Sequence, residues 1–146
     1  MQTQILVALV AGAVLPLQAI LNGHLSKGLG SAFLGSNVSF LTATIALALL
    51  QVVLRTPMPS GTQIAGIAPV WWLGGVLGAV YVTGAITSVG TLGPGTAICL
   101  IVAGQICAAL AIEHFGIAGA TAQPVSLLRL GGAAMVLAGA VVVLRG

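Results

Sequence analysis

The sequence predicts an all-α membrane protein with five transmembrane helices per chain, and three observations carry that prediction. Of its 146 residues, 59% are hydrophobic and 3% are charged, where a soluble domain has about a quarter charged. Its mean hydropathy is +1.22. Its apolar runs are continuous and close to the roughly 20 residues that a spanning helix needs, not the alternating ten or so of a barrel strand. The expected spans are Ile5–Leu21, Phe33–Leu54, Val70–Val89, Gly95–Ile112 and Leu127–Leu144. They fill residues 1–146 as a single transmembrane domain.

The first span follows Met-Gln-Thr-Gln, without the basic residues that open a signal peptide, so it is expected to be retained. Pro16 removes a backbone donor and predicts a kink near mid-span. Gln18 and Asn22 are four residues apart and share a face. Amides in hydrocarbon need partners, so that face should turn to protein or to a water-filled cavity. Interhelical hydrogen bonding and substrate contact are equally good readings of the pair.

A loop over Gly23–Ala32, carrying His24 and Lys27, is expected next. In the second span, Gly35, Ser39 and Ala43 form a small-residue ridge that admits a neighbouring backbone. Arg55 marks an interface, and Pro57, Pro59, Ser60 and Gly61 predict a loop. Trp71 and Trp72 open the third span where an aromatic belt belongs; substrate stacking is the alternative. Gly74 and Gly78 make a GxxxG pair, and the hydroxyl of Tyr81, deeper in the span, needs a partner. Its ring would suit a cationic or aromatic substrate.

The turn Gly90-Thr91-Leu92-Gly93-Pro94 should break the third span from the fourth, making a hairpin that lines a polar path. Gln105 lies near the centre of the fourth span. Cys99 and Cys107 are eight residues apart on that helix, about 12 Å, too far for a disulfide. Glu113, the single acidic residue, is a proton or cation site by default in a membrane. It falls at the end of the span, however, on the same side as Arg129, so a structural ion pair is favoured.

Five spans put Arg55 and Arg129 on one side of the bilayer and Lys27 and Arg145 on the other. An excess of Lys and Arg normally faces the cytoplasm. A balance of two against two predicts insertion both ways and an antiparallel, dual-topology homodimer of ten helices, equivalent to an inverted repeat.

The leading function is therefore small-molecule transport by alternating access. Gln18, Asn22, Tyr81 and Gln105 would line the path, with Trp71 and Trp72 as gates or anchors. A dual-topology channel or facilitator, or a non-transporting interaction subunit, are the alternatives. The sequence offers no acid–base or metal-ligand constellation for an enzyme and implies no cofactor. Its net charge of +3 is scattered at interfaces, which excludes nucleic acid as a partner; lipid and a small solute remain.

Several short motifs, in order, resemble the YdcZ-like bacterial inner-membrane proteins of the drug/metabolite transporter superfamily. They are Pro16-Leu17-Gln18 with Asn22-Gly23, Asn37-Val38-Ser39-Phe40, Gly74–Tyr81, Val102-Ala103-Gly104-Gln105, Glu113-His114-Phe115-Gly116, and Pro124-Val125-Ser126 with Arg129. The resemblance covers nearly the whole chain. It implies a multi-pass half-transporter of the bacterial inner membrane, working as a homodimer, with a related five-helix chain, or fused into ten helices. Small multidrug exporters of the same superfamily use a carboxylate in their first helix. This first span has none, so their proton coupling is not carried over.

Overall fold

The computed structural model describes residues 2–146 and is helical throughout its regular elements. The helices are α1 (Gln2–Leu29), α2 (Ala32–Val53), α3 (Gly61–Ala65), α4 (Leu73–Leu92), α5 (Pro94–Phe115) and α6 (Leu127–Arg145). Counting the 3₁₀ turn Pro69–Trp72 with α4, five segments among the described residues are long and apolar enough to cross a membrane.

The boundaries follow local chemistry. The expected loop over Gly23–Ala32 is instead mostly helix, because nothing from Gly23 to Leu29 breaks the ladder, and α1 runs on past Lys27. Only Gly30 and Ser31 connect α1 to α2. Gly30 takes a left-handed φ of 71°, and the Ser31 hydroxyl accepts from the Leu34 amide to cap α2. The loop after α2 contains the one-turn α3, closed by a capping box in which Ser60 and Gln63 satisfy each other's backbone amides. The two tryptophans sit in the 3₁₀ turn before α4.

The expected turn Gly90–Pro94 contracts to one residue. Helix α4 continues to Leu92, Gly93 adopts φ 79° and ψ 158°, and Pro94 occupies the first turn of α5, where its missing donor costs nothing. Helix α5 stops at Gly116 in the left-handed region, and Ser126 caps α6 by accepting from the Arg129 amide.

The chain forms two compact units, one up to Thr87 and one from Ser88 to Gly146. In the first, α1 packs on α2 along a seam of Ala19, Asn22 and Ser26 against Gly35 and Ser36. Helix α4 meets α2 through the Ser36–Thr83 hydroxyl pair at 2.9 Å and where Gly78 faces the tip of the Phe40 ring, which a methyl group there would meet at 3.6 Å. In the second, α5 packs on α6. The buried apolar residues are Ala19, Ala85, Ile86, Ala97, Ala103, Ala133 and Ala140. Leucines, valines and phenylalanines mostly point outward, as a lipid-facing surface requires.

Candidate functional site

Within the first unit, α2 and α4 line a groove of about 810 Å³. Its apolar wall comes from Phe33, Phe40, Leu41, Val76, Ala79 and Val80. Ser36, Asn37, Thr44, Thr83 and Thr87 place polar groups in the same surface, and every lining residue is uncharged. Helical spacing makes this arrangement: residues 33, 37, 40, 41 and 44 fall on one face of α2, and 76, 79, 80, 83 and 87 on one face of α4.

The groove's hydroxyls are oriented by their own helices. Thr44 donates to the Phe40 carbonyl at 2.8 Å, and Ser36 donates to the Ala32 carbonyl at 2.9 Å. Because Ser36 has one proton, Thr83 is the donor in the Ser36–Thr83 bond. Thr87 shares its one proton between the Thr83 and Gly84 carbonyls, at 3.1 and 2.9 Å.

The residues expected along a transport path are not among those that line this groove. Asn22 is buried in the α1–α2 seam, whereas Gln18, one turn earlier, is exposed. Tyr81 is half-buried on α4, outside the groove lining. Trp71 and Trp72 are exposed, at 58% and 59%. Gln105 is exposed on α5. The signal that would have found the groove is the recurrence of Asn37 and Thr44 at one face of α2 with Thr83 and Thr87 on α4. Single-residue polarity did not say which helices pair.

Glu113 and Arg129 form a half-exposed ion pair between α5 and α6. Around it the α5–α6 connection folds back: the Glu113 carbonyl accepts from the Gln123 amide at 2.9 Å, and His114 Nδ1 accepts from the Val125 amide at 3.4 Å. A smaller groove of about 530 Å³ lies beside it, lined mainly by apolar residues of α5 and α6. Among the described residues no cluster of His, Cys, Asp or Glu is arranged to hold a metal.

A family model described as "putative inner membrane exporter, YdcZ" matches residues 3–142. No curated protein and no solved structure matches the chain. Five spanning helices and a match over nearly the full length agree: this multi-pass inner-membrane protein belongs to the YdcZ exporter family.

Proposed function

We propose that the protein carries small molecules across the inner membrane by alternating access, as an antiparallel pair of five-helix chains, with the α2–α4 groove as its substrate-contact wall. The observation that carries this reading is the groove itself. It has a volume within the range of small-molecule sites, and polar side chains project into it from otherwise apolar spans. Pure helix glue would leave such groups covered by a neighbouring helix.

Two further observations favour a paired assembly. Gln18 and Gln105 are exposed in the single chain, and an amide facing hydrocarbon needs cover from protein or water. A methyl group added at Gly131, Gly132 or Gly139 of α6 would meet no neighbouring atom within 4 Å, which leaves a small-residue face open for a second helix. In this reading Gln18, Tyr81 and Gln105 contribute to the path at the pair's interface, and Asn22 serves packing. Trp71 and Trp72 anchor the interface, and Glu113 with Arg129 holds the α5–α6 connection. With no carboxylate in the groove, the carrier works without a coupling acid there.

The test is topological, followed by flux. Single cysteines replace Leu29 and Met58, which avoids altering Lys27 or Arg55, in a chain whose Cys99 and Cys107 are alanine. Labelling of intact cells with an impermeant thiol reagent is expected to reach about half of the molecules at both positions. Complete labelling at one position and none at the other would overturn the antiparallel homodimer in favour of an oppositely oriented partner chain. In reconstituted vesicles, bulky substitution at Val80 should block flux while the chain stays folded.

A further inference from the structure

We infer that the α2–α4 groove selects uncharged, partly apolar molecules bearing an O–H or N–H donor. This rests on the groove being the substrate-contact wall, and it names the chemical class that wall takes. A hydroxyl has one proton and two acceptor lone pairs. Thr44 spends its proton on the Phe40 carbonyl, Ser36 on the Ala32 carbonyl, and Thr83 on Ser36. These bonds satisfy carbonyls and hydroxyls of the two helices themselves. What the three side chains still offer to an occupant is acceptor capacity.

Asn37 supplies both a donor and an acceptor, so the balance of the wall stays on the accepting side. A ligand with a donor completes such a wall. A ligand with acceptors alone can pair only with the Asn37 amide and leaves the three hydroxyl oxygens facing oxygen, and a polar site disfavours an analogue that leaves its groups unpaired.

Charge is disfavoured on separate grounds. No lining residue is ionisable, and Glu113, the one acidic residue in the sequence, is not among them and is paired with Arg129. A cation seated here would lose hydration with no counter-charge in return. Phe33 and Phe40 give the apolar body of the ligand two aromatic surfaces.

The experiment uses three photoreactive benzophenones of one skeleton: the 4-hydroxymethyl alcohol, its methyl ether, and the 4-trimethylammoniomethyl cation. Each is irradiated with the full-length protein in vesicles, and the labelled peptides are mapped. The alcohol is expected to label residues 33–44 and 76–87 saturably, at about tenfold lower concentration than the ether or the cation. Thr44→Val should level alcohol and ether, and Thr83→Val does the same where the first variant fails to fold. Thr42→Val, whose hydroxyl bonds the Val38 carbonyl away from the groove, should keep the alcohol's preference.

Equal labelling by alcohol and ether would overturn donor selection while leaving the groove a ligand site. Strongest labelling by the cation would overturn the uncharged class. Absence of all three probes from these segments would overturn the substrate-wall reading itself.

Discussion

Gly35 of α2 sits directly against Ser26 of α1: a methyl group on Gly35 would lie 1.8 Å from the Ser26 hydroxyl and 2.9 Å from its Cα. The Ser26 hydroxyl is buried and has no hydrogen-bond partner among the described residues. It fills the notch that the glycine leaves, so the close approach of α1 and α2 depends on the absence of a single carbon.

Gly35→Ala should therefore force the two helices apart and destabilise the first unit by about 1–3 kcal/mol or more, as overpacked cores do. Ser26→Ala should be close to neutral, because it removes an unpaired hydroxyl and keeps the packing atom nearest the backbone. Ser26→Gly should rescue Gly35→Ala only in part, since the Ser26 Cα remains at 2.9 Å. Thermal unfolding of the detergent-solubilised protein reads all three. Wild-type stability in Gly35→Ala would contradict the packing argument.

The Ser36–Thr83 bond links α2 to α4 at the edge of the groove. Ser36→Ala and Thr83→Val should each cost about 1 kcal/mol, and the double variant less than their sum. Strict additivity in the double-mutant cycle would mean that the bond contributes nothing to holding the helices.

The Glu113–Arg129 pair is open to solvent at more than a third of each side chain, 38% and 36%. Glu113→Gln should accordingly cost less than about 1 kcal/mol and leave flux intact. Loss of flux in a folded Glu113→Gln protein would instead make this carboxylate a coupling group, and the reading of it as a brace would fall. The exchanged pair Glu113→Arg with Arg129→Glu should recover whatever stability the single change removes.

Two neighbouring positions in the α5–α6 connection should respond in opposite directions. Gly116 has φ 61°, and an added methyl would meet the Ala120 carbonyl and the Ala122 Cβ at 3.4 Å. Gly116→Ala should therefore destabilise by about 1–2 kcal/mol. Ala118 already carries a side chain at φ 57°. Ala118→Gly relieves that strain and should be neutral or stabilising. Melting temperatures of the two variants should move apart, and a shared direction would contradict the backbone assignment.

All five spans were legible because unbroken hydropathy over about 20 residues leaves few alternatives. The close approach at Gly35 was legible too, but not its partner, and of the expected ridge Ser39 is only half-buried and Ala43 is exposed. Ser26 lay in a stretch that polar and glycine residues made look like a loop, when helix ladders tolerate both. Gln18 and Asn22 share a face by spacing. The actual seam runs through Ala19, Asn22 and Ser26, and Gln18 falls just off its edge. The groove was the least legible feature. Its polar residues come from α2 and α4, and nothing along a linear sequence states which pair of helices shares a groove.

Among the described residues six of the seven buried apolar side chains are alanines, and this inverts the usual pattern of tolerance. In a water-soluble domain, truncating a large interior side chain is the damaging change. Here there is little interior bulk to truncate, and the outward leucines and valines can be exchanged for one another at small cost. A saturation screen for surviving protein should find enlargement to be the lethal direction, at Ala97, Ala133 and Ala140 as much as at Gly35. The chain is specified by the sizes it forbids.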